Sequence, residues 1–163
     1  MKSNRIKDFF LSTKFSFGST SAIITNIALI IGLDTATSSK LAIIGSLLVI
    51  ALADNVSDSL GIHVYQESVG LSQRKVWVLT FTNFISRLII SLGFIFIILV
   101  FPLDLAVIFS IIYGLLILSI VTYLIALNRK VNPWRSIMEH LTIAIIIIFL
   151  SKFFGNTIVK FFK

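Results

Sequence analysis

An all-α integral membrane protein, a five-transmembrane-helix bundle with its N-terminus cytoplasmic and its C-terminus outside, is the fold class the sequence predicts. Three observations predict it. Of 163 residues, 57% are hydrophobic and only 13% charged, where a soluble domain carries about a quarter charged residues. Apolar stretches long enough to cross a hydrocarbon core of about 30 Å, at about 1.5 Å per helical residue, recur five times. Finally, the basic flanks are uneven. Lys2, Arg5, Lys7, Lys14, Arg74, Lys75, Arg129, Lys130 and Arg135 fall on one side of the predicted membrane. Lys40, Lys160 and Lys163, with Lys152 as a possible fourth, fall on the other. The richer side belongs in the cytoplasm.

The same asymmetry accounts for the net charge of +7, so no nucleic-acid partner is expected. The chain has no cysteine, which removes disulfides, zinc-thiolate sites and thiol nucleophiles together. No sequence repeat or Gly/Ser linker divides residues 1–163, which are read as one membrane domain. No cleavable signal peptide is expected, because mostly polar residues precede a first apolar run of full span length.

Residues 3–15 are basic and aromatic, with Ile6, Phe9 and Phe10 at i, i+3, i+4 but Thr13 at the next position of that face. Such a segment suits either a headgroup-layer helix or an ordinary positive flank. Span one is predicted over 15–33. Its Ser21, Thr25, Ala28 and Gly32 form one narrow face of small residues, a pattern that lets helix backbones approach closely and also suits the wall of a wet pathway.

Span two, predicted over 41–62, carries Asp54 and Asp58. A carboxylate at the bilayer centre costs roughly 2.5–3.5 kcal/mol on insertion scales, so two in one helix need a partner, a proton or a task. On a regular helix Ala51, Asp54, Asp58, Gly61 and Tyr65 share one face, while His63 and Glu67 share another and emerge at the membrane surface. Span three, 76–101, contains Asn83 and Arg87 and is ended by Pro102. Counted from the loop joining spans two and three, Asp54 and Arg87 lie at equal depth. Arg87 is therefore expected to pair with Asp54 or Asp58, neutralising one of the two. Span four, 105–127, is uncharged and reads as scaffold. Span five, 136–159, starts with Glu139 and His140, which the basic count places at the cytoplasmic level of His63 and Glu67.

Asp54, Asp58 and Asn55, with His63, Glu67, Glu139 and His140 at the mouth, form a candidate metal-ligating set rich in oxygen and nitrogen. Carboxylate and imidazole suit Mn(II), Fe(II) or Zn(II), and the absence of thiolates argues against Cu(I). Two carboxylates four residues apart on a helix lie about 6 Å from one another, and in low dielectric they do not both ionise without a cation. That competition is a physical basis for exchanging a metal ion against protons.

Gly18 to Gly32 (GSTSAIITNIALIIG), Ala53-Asp54-Asn55-Val56-Ser57, and Glu139 to Ala144 (EHLTIA) together resemble the vacuolar iron transporter family. The resemblance implies a five-helix bundle, a two-fold homodimer with the pathway between first spans, and proton-coupled export of Fe(II) or Mn(II) from the cytosol. The chain differs from the family at four places. Ser21-Ala22 stands where an Asp-Gly pair is usual, Ser57-Asp58 where a Ser-Met pair is usual, the family's span-two Glu has no clear counterpart, and residues 66–75 are too few for the family's metal-binding domain. The metal roles of Asp54 and Asp58 are inferred from chemistry and not from matched motif residues.

Two readings follow. One is a divalent-metal/proton antiporter of the bacterial plasma membrane, holding no permanent cofactor, with Mn(II) or Fe(II) as substrate and Arg87 as counter-charge. The other is a non-transporting membrane scaffold or partner subunit whose Asp/Arg cluster is structural. No Ser/His/Asp order, phosphate loop or zinc-protease spacing is present, so no enzyme is expected.

Overall fold

The computed structural model describes residues 13–162, with side chains from residue 18 onward. The segment of Ile6, Phe9 and Phe10 lies outside the described residues, as do Lys2, Arg5, Lys7 and Lys163 and the side chain of Lys14. Within them the chain forms five helices: α1 (Thr13–Thr37), α2 (Lys40–Ser68), α3 (Gln73–Val100), α4 (Leu103–Asn128) and α5 (Pro133–Phe162). No strand occurs among the described residues, and all five helices are long and apolar enough to cross a membrane. Four of them extend past their expected limits at both ends, and α3 starts earlier than expected but ends at Val100, one residue short. The largest difference is at the end of α2, which continues to Ser68 where the hydropathy pattern placed its exit at Ile62. The added turns carry His63, Tyr65 and Glu67, amphipathic residues that suit a membrane interface rather than its interior.

Loops are short, and local chemistry sets each turn. At the end of α2, Gly70 adopts φ +73°, its N–H donates to the Glu67 carbonyl at 2.9 Å, and the Leu71 N–H donates to the Gln66 carbonyl at 3.2 Å. These two bonds satisfy carbonyls that the helix end would orphan, and glycine takes the left-handed position without strain. After α3, Lys40 Nζ reaches the Leu99 and Phe101 carbonyls at 3.0 and 2.9 Å, a cation on the negative end of a helix dipole. Asn132 caps α5, its Oδ1 accepting from the Trp134 and Arg135 N–H groups, with Pro133 at the first helical position.

The first helix is the centre of the bundle, in contact with α2, α3, α4 and α5. Its inner ridge of Ala22, Ile23, Ile27 and Ile30 is fully buried and packs into a core with Ile43, Leu47, Ile90, Phe94, Ile98 and Leu118. The small-residue face is half-buried, and Gly32 on it meets α5. A Cβ built at Gly155 of α5 would lie 2.9 Å from the Gly32 carbonyl oxygen and 2.7 Å from Thr35 Cβ. The two backbones approach to a distance that only glycine at 155 permits. Beside this crossing an open apolar groove of about 300 Å³ runs between Ala28, Gly32 and Ala36 of α1 and Phe154 and Ile158 of α5. Apolar side chains such as Leu48, Leu52, Phe96, Leu116, Ile146 and Phe153 point outward. That inverted distribution is compatible with contact to lipid acyl chains.

Candidate functional site

The site is built where α2 crosses α3, and a departure from regular helix shapes it. From Ile50 to Asp54 the second helix widens into a π-turn, in which the Asn55 N–H reaches back five residues to the Ile50 carbonyl. The Ala51 carbonyl, which an α-helix would give to that N–H, instead accepts from Asn55 Nδ2 at 2.8 Å. The wide turn changes the phase of everything after it. Ile43, Leu47, Ala51, Asn55, Ser59 and Gln66 therefore form one continuous buried ridge, whereas in a regular helix a four-residue spacing drifts by about 40° at each step. The single face expected from Ala51 through Tyr65 is consequently not formed: Ala51 is 2% exposed and Tyr65 63%. Asp54 and Asp58 stand beside the ridge, at the border between bundle and surface.

Arg87 of α3, 1% exposed, is the hub. Its Nη2 pairs with the Asp54 carboxylate, its Nη1 meets Asp58 Oδ2 at 3.0 Å, and its Nε donates to Asn55 Oδ1 at 2.9 Å. Nη1 also approaches the Gly18 carbonyl of α1 at 3.5 Å. The guanidinium fork therefore engages both carboxylates, where the sequence suggested one or the other. The charge sum is unchanged: one positive and two negative groups leave a net charge of −1. The carboxylates are less buried than their partner, with side-chain exposures of 43% for Asp54 and 25% for Asp58. Asp54 Oδ1 and Asp58 Oδ1 accept no hydrogen bond among the described residues.

A second rung lies one turn closer to the end of α2. Asn83 Nδ2 donates to Ser59 Oγ at 3.0 Å and to Asp58 Oδ2 at 3.3 Å, while its Oδ1 is buried without a partner. A Cβ at Gly18 would lie 2.0 Å from that Oδ1, so glycine brings α1 against the cluster. The third rung joins His63 Nδ1 to Thr80 Oγ1 at 3.0 Å. On the opposite side of Arg87, Asn26 of α1 donates to Ser91 Oγ at 3.0 Å. Thr80, Asn83, Arg87 and Ser91 thus form one polar seam down α3, at spacings of three and four.

Of the seven proposed metal ligands, the structure brings together only part. Asn55 is 0% exposed, with its oxygen on Arg87 and its nitrogen on Ala51; it positions the guanidinium and offers no atom to a metal. His63 Nε2 lies 3.5 Å from Glu67 Oε1, and that oxygen also accepts from Gln73 Nε2 at 2.8 Å, so both imidazole nitrogens are engaged. Glu139 pairs with Arg135 on its own helix at 3.0 Å, and His140 Nδ1 donates to the Ser136 carbonyl at 2.8 Å. Among the described residues no three His, Asp or Glu side chains are grouped closely enough to hold a metal ion. The four-residue mouth is therefore not assembled within one chain. The physical reason is local: each acid and each imidazole there finds a nearer partner.

Sequence reasoning missed Ser59, Thr80, Ser91 and Gly18 as members of the seam. The signal was present in α3, where polar residues recur at helical spacing through an apolar span, a pattern that marks an inward face.

No family model matches this chain, and neither a curated protein nor a solved structure does.

Proposed function

We propose that the chain is a homodimeric carrier in a bacterial plasma membrane that exports Mn(II) or Fe(II) from the cytosol in exchange for protons. The reading orients the N-terminus to the cytosol and the C-terminus outside. The observation that carries it is the cluster of Arg87 with two partly exposed aspartates within a membrane-spanning segment. Intramembrane ionisable groups are rare and by default mark ion pathways. The charges support exchange specifically. With both carboxylates protonated the cluster carries +1, and with both ionised and one divalent ion bound it again carries +1. One metal ion for two protons leaves the charge held in low dielectric unchanged, avoiding the cost of an uncompensated ion. The unshared oxygens of Asp54 and Asp58 are the atoms offered to the metal, an all-oxygen contribution that suits Mn(II) among divalent transition ions. The resemblance of spans one, two and five to the vacuolar iron transporter family belongs to the same proposal.

The test is flux of Mn(II) and Fe(II) into liposomes containing a metal-sensitive dye, with and without a pH gradient. Asp58→Asn keeps a one-to-one charge balance between Asp54 and Arg87, so that variant is expected to remain folded and to lose transport. Normal transport by Asp58→Asn would end the proposal.

The exposed carboxylates also support the dimer. Ala53, Ser57 and Gly61 lie on the same exposed side of α2 as Asp54, and nothing lies within 4 Å of a Cβ built at Gly61. A small-residue surface bearing an acid is poorly suited to lipid and well suited to a second copy. Because the chain lacks cysteine, Ser57→Cys supplies a single thiol. Oxidation in membranes is expected to give a covalent dimer, whereas Leu48→Cys, facing lipid, gives none.

A second reading has its own observation. Arg87 already satisfies both aspartates, and no three-ligand group is assembled. On that reading the chain is a non-transporting scaffold or partner subunit and the cluster fixes helix register. Absence of flux from folded, dimeric wild-type protein would select it.

A further inference from the structure

We propose that the face of α5 formed by Lys152, Asn156 and Lys160 binds the headgroup of an anionic phospholipid, in the leaflet that the C-terminal end of α5 meets. The inference rests on the membrane-spanning length and apolarity of the helices and not on the transport reading. The three residues follow one another at four-residue intervals, and each is exposed. Such a spacing drifts by about 40° per step, so the three directions fall within about 80° and share one side of the helix.

Contacts between helices fix the depth of this face. The Ser151 carbonyl lies 3.8 Å from a Cβ built at Gly32, so Lys152 stands near the level of Gly32. From there to the end of α1 at Thr37 is about 7.5 Å of helix. A lysine at that depth runs its apolar stem along the helix and delivers its ammonium to the polar layer. Asn156 and Lys160 lie about 6 and 12 Å farther along α5, so the three side chains bracket the boundary where lipid phosphates sit. The Asp54/Asp58 cluster is too deep to be their partner. Arg87, which holds both acids, approaches the carbonyl of Gly18, about 21 Å of helix from Gly32, and a second copy inserted in the same direction keeps those depths.

Charge and surface composition identify the occupant. No ion pair among the described residues involves Lys152 or Lys160. Lys40, near the same end of the bundle, differs in having its ammonium on the Leu99 and Phe101 carbonyls. Around the two free lysines, Phe149, Phe153 and Phe161 are 69%, 62% and 73% exposed. Such a face suits a molecule that is apolar along its length and anionic at its end. A phospholipid supplies both, with acyl chains against the phenylalanines and phosphate oxygens accepting from two ammoniums and the Asn156 amide. A net negative headgroup is preferred, because the ammonium of a zwitterionic one would stand beside two like charges.

A local fluorescence measurement tests the proposal. The chain has two tryptophans, Trp77 and Trp134, at the opposite end of the bundle. Trp77→Phe, Trp134→Phe and Phe153→Trp together, all at exposed positions, leave one indole beside Lys152. The full chain is reconstituted in vesicles of equal parts phosphatidylglycerol and phosphatidylcholine, with one of the two lipids brominated so that it quenches the indole it touches. Brominated phosphatidylglycerol is expected to quench more strongly. Lys152→Gln and Lys160→Gln should each lower its relative affinity about fivefold, while Lys152→Arg and Lys160→Arg retain it. Equal quenching by the two lipids in the reporter protein, or a preference that survives both glutamine substitutions, overturns the proposal. Weak quenching by both lipids would mean that a second copy covers the face, bringing an exposed acid such as Asp104, and overturns it as well.

Discussion

Replacing Arg87 with methionine is expected to destabilise the folded protein by roughly 3–5 kcal/mol, the usual cost of removing one partner of a buried ion pair. Here the loss is compounded, because a guanidinium 1% exposed holds two carboxylates and the Asn55 amide at once. Its removal leaves two like charges about one helical turn apart with no counter-ion. The measurement is thermal unfolding of the purified protein in detergent, read beside its size-exclusion profile. Arg87→Lys keeps the charge but not the fork, so it should fall between wild type and methionine. Adding Asp54→Asn and Asp58→Asn to Arg87→Met removes the uncompensated charge and is expected to recover most of the loss. An Arg87→Met protein as stable as wild type would show that the cluster contributes nothing to the fold.

Gly155→Leu is the second large effect, expected at about 1–3 kcal/mol from overpacking. A Cβ at 155 meets the Gly32 carbonyl at 2.9 Å and Thr35 Cβ at 2.7 Å. One of these is backbone and the other a branched carbon, so neither can rotate away and α5 must separate from α1. Gly45→Leu is the control. Nothing lies within 4 Å of a Cβ there, and stability should change by less than about 0.5 kcal/mol. Melting temperatures of the two variants decide the point; equal stability would mean that the α1–α5 crossing is loose.

Much of the bundle was legible because membrane burial writes itself into composition. Length and hydropathy located five spans, and equal depth from one loop located Asp54 opposite Arg87. Two features were not legible. The double pairing of Arg87 depends on a guanidinium fork meeting two oxygens, which helix counting cannot resolve. The loss of Asn55 as a ligand depends on the π-turn, and a residue that reads as polar and adjacent to two acids is turned inward by a local change of pitch. His63 and Glu67 were legible as neighbours at i, i+4. Thr80, which lies 3.0 Å from His63 Nδ1, is on another helix, and that pairing is visible only in three dimensions.

The π-turn also bears on how this chain is to be aligned with others. A wide turn is one extra residue accommodated without breaking the helix, equivalent to an insertion between Ile50 and Asp54. A homologue with an uninterrupted α-helix here would reach the same spatial positions one residue earlier. Ungapped alignment would then set this chain's Asp54 against the counterpart of Asn55 and mistake a conserved place for a substitution. Correspondence in the second span is therefore better counted from Arg87 and its contacts than from residue number.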